Sequence, residues 1–210
     1  MTSILTRDFY KYPATQVAPR LLGCRLVRLW NGQRLAGLIT ETEAYQGEED
    51  QACHARVGQT PRTAPMYGPA GHAYIYFTYG MHWLLNAVTD QVGTPSAVLI
   101  RAIWPEEGIG QMAVLRPALA GTSKWLNGPA KLAKALALDG ALNCADLCSS
   151  ASGVFIEKGV EVRQEHVRVG GRVGIQSVPE PWRSMPWRWQ VDWKTLVDEW
   201  EQNVETSWGK

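Results

Sequence analysis

The residues best suited to chemistry lie in one short extended stretch, Glu41-Thr42-Glu43-Ala44-Tyr45. Strand alternation puts every second residue on one face, so Glu41, Glu43 and Tyr45 are predicted to point the same way. Carboxylates are rarely buried unless they are paired, so two acids and an aromatic ring suit a pocket better than a core. The alternative interpretation is an edge strand with a solvated acidic face.

More polar and aromatic side chains follow in the next part of the chain. Asp50 and His54 are spaced i, i+4 and could share one helical turn. A run rich in tyrosine has strand composition, with Tyr74 and Tyr76 on one face and Tyr79 at its exposed end. A carboxylate, an imidazole and several aromatic planes can stack a flat ring and cut a bond beside it.

The bulk composition favours one ordinary domain. The chain has 210 residues and is 45% hydrophobic, which is enough to bury a core. The 21 basic and 20 acidic residues nearly cancel, so an anionic partner must be met by a local patch. Ten tryptophans favour stacking or an interface.

The cysteines do not predict a metal centre. Cys24, Cys53, Cys144 and Cys148 form no C-x-x-C pair, which disfavours zinc and iron–sulfur sites. Residues 1–12 lack the apolar segment of a signal peptide, and no apolar run is long enough for a membrane span. We therefore expect a reduced, soluble, intracellular protein.

Several elements are predicted to position these groups. Asn31-Gly32 between apolar runs predicts a β-hairpin, and a short helix is expected over residues 18–22, ending at Gly23. A buried strand over residues 97–103 carries Arg101, which must pair with an acid. Glu41 and Glu43 are the candidate partners.

The remaining elements are predicted from composition and periodicity. Residues 81–88 form a helix or a strand containing Asn86, a polar residue that needs partners if it is buried. A helix is expected from Pro129 to residue 139, and strands over residues 154–156, 160–163 and 166–169. The final segment, residues 187–210, predicts a terminal helix from the spacing of Trp193, Leu196, Val197, Trp200 and Val204.

Five sequence blocks in this order resemble the alkyladenine (3-methyladenine) DNA glycosylase family. They are Glu41-Thr42-Glu43-Ala44-Tyr45, residues 70–82, Leu99-Ile100-Arg101-Ala102, residues 127–132 and Arg172-Val173-Gly174-Ile175. The resemblance runs from residue 21 to residue 189, leaving residues 190–210 as a helical tail of one domain spanning 1–210. Trp104 departs from the family pattern, which has an acidic residue there.

The resemblance implies a single α+β domain with a curved antiparallel β-sheet, surrounding helices and a protruding β-hairpin wedge. It implies an enzyme that initiates base excision repair by removing alkylated or deaminated purines from double-stranded DNA. The implied substrates are of the 3-methyladenine, 7-methylguanine, hypoxanthine and ethenoadenine class. No metal or organic cofactor is implied. We expect a monomer that acts away from membranes, on cytoplasmic DNA in a bacterium or nuclear DNA in a eukaryote.

The resemblance also implies roles for individual residues. Glu43 resembles the general base that activates a water, with Arg101 and the Val173 carbonyl helping to hold that water. The flipped base would stack among Tyr45, His54 and Tyr76, while Asn86 would screen purines by clashing with the guanine amino group. The residues that would enter the duplex are Tyr79 and Met81, and those that would contact phosphates are Arg56, Arg62, Lys131 and Lys134.

Two other functions remain open from the sequence. A glycoside hydrolase could use Glu41 and Glu43 as its acid pair, although such enzymes need carboxylates that face each other across a bond. A non-catalytic module could bind damaged DNA by base flipping alone. Because no lysine is among the matched catalytic residues, an enzyme of this family is expected to hydrolyse the base–sugar bond without cutting the strand.

Overall fold

The first hairpin of the chain forms around Asn31-Gly32, as predicted. β1 (Arg25–Trp30) and β2 (Gln33–Gln46) pair in antiparallel register up to Trp30 opposite Gln33. Asn31 and Gly32 have φ values of 48° and 74°, the positive angles that such a turn requires. The long strand β2 therefore carries Glu43 and Tyr45 well away from the hairpin turn.

β2 lies near the centre of an antiparallel sheet. In the computed structural model, which describes residues 3–192 and residue 194, this sheet has eight strands in the order β3-β4-β5-β2-β1-β6, with β8 on β2 and β7 on β8. The further strands are β3 (Ala73–Thr78), β4 (His82–Val88), β5 (Ser96–Glu107), β6 (Val154–Glu157), β7 (Arg168–Gly170) and β8 (Arg188–Gln190). With the helices, this sheet confirms the predicted single α+β domain.

Short helices cover one face of the sheet. They are α1 (Arg7–Tyr10), α2 (Ala14–Arg20), α3 (Ile109–Leu115) and α4 (Pro129–Ala135), and short 3-10 turns occur at His54–Val57, Ala64–Tyr67, Gly140–Leu142, Ser150–Ser152 and Gln164–His166. Their apolar residues join one large core cluster, to which Leu21, Ile39, Ile100 and Leu132 belong. Burial of this apolar surface fixes the position of β2 and β5.

The two faces of β2 meet different surroundings. The Thr42 hydroxyl donates to the Ala18 carbonyl at 2.9 Å on the core side, whereas Tyr45 packs against a second, smaller cluster on the other side. The pairing of β2 with β5 shifts register on both sides of Glu41, and such bulges bend a strand and redirect its side chains. The predicted separation of Glu43 and Tyr45 from Thr42 is confirmed.

Several predicted boundaries are wrong for identifiable reasons. The first predicted helix begins earlier, as α2, and α4 ends at Ala135 because Ala137 takes a φ of 48°. Residues 160–163 form no strand, since β6 already occupies the free edge of β1 and the Val160 N–H bonds the Gly23 carbonyl at 2.9 Å instead. The ambiguous segment 81–88 is a strand, β4.

The predicted terminal helix is wrong at its start, where residues 188–190 form β8. The positions whose spacing suggested this helix lie outside the described residues; they are Trp193, Leu196, Val197, Trp200 and Val204. None of the helices in the described part of the chain is both long and apolar enough to cross a membrane.

Candidate active site

A cavity of about 590 Å³ opens on the face of the sheet that carries Tyr45. The predicted site residues among those that line it are Tyr45, His54, Arg56, Tyr76, Tyr79, Asn86, Arg101 and Val173. The strands β2, β3, β4 and β5 and the segment after β7 each contribute at least one of them. The 3-10 turn His54–Val57 adds His54 and Arg56, so residues from several separate parts of the chain converge on one cavity.

Glu43 lies directly behind this cavity wall and is completely buried. Its Oε1 accepts the Val173 backbone N–H at 2.7 Å, and its Oε2 accepts the Tyr45 hydroxyl at 2.8 Å. Arg101 Nη1 lies 3.3 Å from Oε2. Burial raises the pKa of Glu43, and the Arg101 charge, the Val173 N–H and the Tyr45 hydroxyl oppose that rise.

The Val173 contact differs in detail from the expectation. We expected the Val173 carbonyl to help to hold a water, and the atom that contacts the acid is the backbone N–H. The Val173 side chain is 46% exposed and lines the cavity. The role expected for its carbonyl stays a prediction.

Arg101 pairs with the acids of β2, as predicted from its place in an apolar strand. Its Nε donates to Glu41 Oε1 at 2.9 Å, and Arg188 Nη1 donates to the same oxygen at 3.1 Å. Glu41 and Glu43 therefore lie side by side on one arginine and do not face each other across a cleft, which disfavours a glycoside hydrolase pair. Trp104 lines a separate cavity of about 270 Å³ beside Glu41.

One wall of the cavity is aromatic. The ring centroids of His54 and Tyr76 are 4.5 Å apart, and those of Tyr74 and Tyr76 are 5.3 Å apart. His54 Nδ1 shares a hydrogen bond of 2.9 Å with the Tyr74 hydroxyl. Burial, with the nearby Arg62 and Arg56 charges, lowers the pKa of His54 to about 4. This imidazole is therefore neutral near pH 7.

Asn86 is buried against the floor of the cavity. It is 4% exposed, and its Nδ2 donates to the Tyr74 carbonyl at 3.0 Å. Because the same residue lines the cavity, it can meet a ligand while that bond fixes its orientation. Both of the roles considered for it, internal hydrogen bonding and ligand contact, are compatible with this position.

The expectation that Asp50 and His54 share a helical turn is wrong. His54 begins a 3-10 turn, whereas Asp50 precedes it and pairs with Arg172. Arg172 Nη1 and Nη2 donate to Asp50 Oδ2 and Oδ1 at 2.5 and 2.9 Å, and both side chains are completely buried. Sequence reasoning missed this pair because its members are 122 positions apart.

The turn between β3 and β4 projects Tyr79 and Met81 into solvent. Tyr79 is 83% exposed and Met81 67% exposed. Tyr79 also has a φ of 51°, a conformation that bulky residues seldom adopt. Backbone strain of this kind clusters at functional sites, so the tip of this hairpin is a candidate contact surface.

Of the four basic residues expected to contact phosphates, Arg56 lines the cavity and Arg62 lies against its Tyr76 wall. Arg56, Arg62 and Lys134 are exposed, and Arg62 lies over the Tyr76 ring with 5.4 Å between its guanidinium carbon and the ring centre. Lys131 is partly exposed and bonds Asn127 Oδ1 at 2.6 Å. No cluster of three or more His, Cys, Asp or Glu residues suited to a metal occurs in the residues that the structure describes.

Comparison with known proteins identifies the family of this chain. The sequence model of the family Methylpurine-DNA glycosylase (MPG) matches residues 8–195, further at both ends than the resemblance indicated. A protein of Carboxydothermus hydrogenoformans is 47% identical over 174 residues, covering 83% of this chain and 90% of its own. Relatives from Methanocella arvoryzae and Burkholderia lata are 45% and 40% identical over 184 and 189 residues, covering 86% and 90% of this chain and 90% and 88% of theirs.

All three relatives carry the name "Putative 3-methyladenine DNA glycosylase". With a family match over most of the chain and identities of 40% or more, the chain belongs to the methylpurine-DNA glycosylase family and is a DNA N-glycosylase.

Proposed function

We propose that the protein flips alkylated or deaminated purines out of duplex DNA and excises them by hydrolysis, with Glu43 as the general base. A base inside a duplex is out of reach, and rotating it out costs a few kcal/mol. A cavity with aromatic walls offsets part of this cost, because stacking of a base on an aromatic side chain contributes about 1–3 kcal/mol per base. The observation that carries the proposal is a carboxylate buried directly behind such a cavity.

The proposed reaction needs one base and one water. Glu43 takes a proton from the water, the water oxygen bonds to the anomeric carbon of the sugar, and the bond from that carbon to the purine breaks. A carboxylate has about four acceptor sites, and the Tyr45 hydroxyl and the Val173 N–H donate to two of them, while Arg101 Nη1 pairs with Oε2 at 3.3 Å. Acceptor sites therefore remain for the water, and the negative charge of Glu43 also suits an oxocarbenium-like sugar.

Other residues are assigned to binding. The base stacks among Tyr45, His54 and Tyr76, and an electron-rich aromatic wall favours a purine made cationic by alkylation. Asn86, which lines the cavity, disfavours purines that carry the amino group of guanine, because its side chain clashes with that group. Tyr79 fills the gap left in the duplex.

The proposed contacts with DNA outside the cavity extend this assignment. Met81 lies beside Tyr79 on the hairpin and enters the duplex with it. The proposed phosphate contacts are the exposed or partly exposed basic residues Arg56, Arg62, Lys131 and Lys134. The protein is proposed to act as a monomer on damaged duplex DNA.

A duplex with one hypoxanthine or ethenoadenine tests this function. Alkali should reveal abasic sites after incubation with the wild type, and without alkali the strand should stay intact. Glu43→Gln should reduce excision by about 10²–10⁴-fold, the usual contribution of a general base, while lesion binding persists. Glu41→Gln is the matched control, because it neutralises the neighbouring acid and should retain far more excision.

The same experiment separates the alternatives. Lesion binding by the wild type without any abasic product would indicate a non-catalytic module. Normal excision by Glu43→Gln would make another residue the base, with Glu41 the first to test.

A further inference from the structure

The buried pair of Asp50 and Arg172 has no role in the reaction proposed above. It is bidentate, and both side chains are completely withdrawn from solvent. Replacing a buried ion pair by apolar residues is often neutral or stabilising, so fold stability alone is a weak reason for its presence. The surroundings of Arg172 indicate a more specific reason for this ion pair.

Arg172 lies behind the aromatic wall of the cavity. Its guanidinium carbon is 4.9 Å from the centre of the Tyr45 ring and 5.0 Å from that of Trp187. Its Nη1 also donates to the Ala44 carbonyl at 3.0 Å. Tyr45 lines the cavity, whereas Arg172 is buried against the Tyr45 ring and does not line the cavity.

The same arginine precedes the residue that contacts Glu43. The peptide unit that joins Arg172 to Val173 carries the N–H that donates to Glu43 Oε1. On the other side of this segment, Arg188 Nε donates to the Gly171 carbonyl at 2.8 Å. Residues 171–173 are thus held by several side chains and carbonyls, and the Asp50–Arg172 pair is one of these attachments.

We propose that Asp50 and Arg172 position the proposed general base and set the charge preference of the cavity. Arg172 holds the Val173 N–H on Glu43 and supports the Tyr45 ring. Asp50 cancels the charge of Arg172, so that Tyr45 can stack a cationic alkylated purine as well as a neutral one. The inference rests on the proposed function, in which Tyr45 stacks the flipped base.

The size of the charge effect follows from the geometry. A purine in van der Waals contact with the open face of the Tyr45 ring lies about 3.5–4 Å from it, so it is roughly 8–9 Å from the guanidinium. At an effective dielectric constant of about 20, two unpaired positive charges at that separation change a binding ratio roughly 20- to 30-fold. A neutral purine does not experience this repulsion.

The test compares a cationic lesion with a neutral one. Asp50→Asn leaves the arginine charge without its counterion, and single-turnover excision is measured on duplexes with 3-methyladenine, which lacks the guanine amino group, or hypoxanthine. The ratio of the two rates should move roughly 20-fold against 3-methyladenine. The matched control is Glu106→Gln, which breaks a bidentate ion pair with Arg25 outside the cavity, and it should leave the ratio unchanged.

A double variant, Asp50→Asn with Arg172→Gln, separates charge from position. It removes both charges, so the ratio should return toward that of the wild type. Excision of both lesions should still fall, because the Val173 N–H is held less firmly, and the low-pH limit of activity should move to higher pH. If Asp50→Asn does not fold, Arg172→Gln alone provides the second comparison, since it removes the cation and cannot disfavour the charged lesion.

Affinity provides a readout that does not depend on cleavage of both lesions. In a Glu43→Gln background, the ratio of dissociation constants for the 3-methyladenine and hypoxanthine duplexes should shift in the same direction with Asp50→Asn. An unchanged ratio in both assays would overturn the charge-compensation role. A wild type that neither cleaves nor prefers any lesion would instead overturn the proposed function and this inference with it.

Discussion

The Tyr45 hydroxyl offers the most direct test of how Glu43 is tuned. This hydroxyl donates to Glu43 Oε2 at 2.8 Å, while the tyrosine ring lines the cavity. Burial and the neighbouring Glu43 carboxylate raise the pKa of Tyr45 well above its ordinary value, so the phenol keeps its proton. Tyr45→Phe removes the donor and preserves the ring, which separates acid–base tuning from stacking.

The magnitude follows from the strength of that bond. A hydrogen bond to a charged group is worth about 1.5–3 kcal/mol, and one pKa unit corresponds to about 1.36 kcal/mol. Loss of the bond destabilises the ionised form of Glu43 by about 1.5–3 kcal/mol, so its already raised pKa should rise further. A water in place of the hydroxyl would bring the shift toward the lower end.

The assay is the pH dependence of single-turnover excision. A general base must be ionised, so activity declines as the pH falls through the pKa of Glu43. The Tyr45→Phe variant should show this decline at a higher pH than the wild type. At pH values well above the decline, its rate should be near that of the wild type. Tyr76→Phe is the control, because it removes a second phenol of the same cavity and should leave the position of the decline unchanged.

Two outcomes would refute this reasoning. If the decline stays at the same pH in Tyr45→Phe, Glu43 is not the titrating base or the hydroxyl does not stabilise it. If the rate falls by the same factor at every pH, the hydroxyl acts on substrate binding instead. The first result would direct attention to a different acid, and the second to the contact between Tyr45 and the substrate.

Three further predictions concern binding and charge. Tyr79→Ser should weaken binding to a lesion duplex about tenfold or more through the lost stacking contact, measured by anisotropy in a Glu43→Gln background, and should leave excision from single-stranded DNA unchanged. Arg62→Ala should weaken duplex binding about equally for all sequences and reduce the slope of log affinity against log salt by about one. The His54 imidazole should titrate near pH 4 by NMR, and because burial depresses its pKa from 6.5, its protonation should destabilise the fold as the pH falls through that interval.

Local sequence signals predicted the elements that depend on local chemistry. Asn31-Gly32 predicted the first hairpin because these two residues accept the positive φ angles of the turn. The separation of Glu43 from Thr42 was predicted because successive residues of a strand lie on opposite faces, and in the structure Thr42 contacts the core side. Residues 160–163 were predicted wrongly because alternation alone does not supply a neighbouring strand, and the edge of β1 is already paired with β6.

Some contacts of the candidate site could be predicted from the sequence, and others could not. The pairing of Arg101 with Glu41 and Glu43 was predictable, since a cation in an apolar strand needs an acid on the adjacent strand. The partner of Asp50 was not predictable, because Arg172 comes from a segment 122 positions away and the i, i+4 spacing to His54 suggested a local helix instead. The local sequence around Asp50 is typical of a turn. In the structure its Oδ1 accepts the Ala52 N–H at 3.0 Å, as in an Asx turn.

Because Glu43 is buried, its ability to act as an ionised base depends on the groups that contact its carboxylate. Burial is the largest influence on its pKa and disfavours the charged form that a general base requires. Arg101 is the strongest opposing influence, followed by the Val173 N–H and the Tyr45 hydroxyl. Removal of any of the three should therefore move the pH decline in the same direction, with neutralisation of Arg101 moving it further than Tyr45→Phe. The reverse order in measured pH profiles would mean that the arginine acts mainly through Glu41, to which its Nε donates.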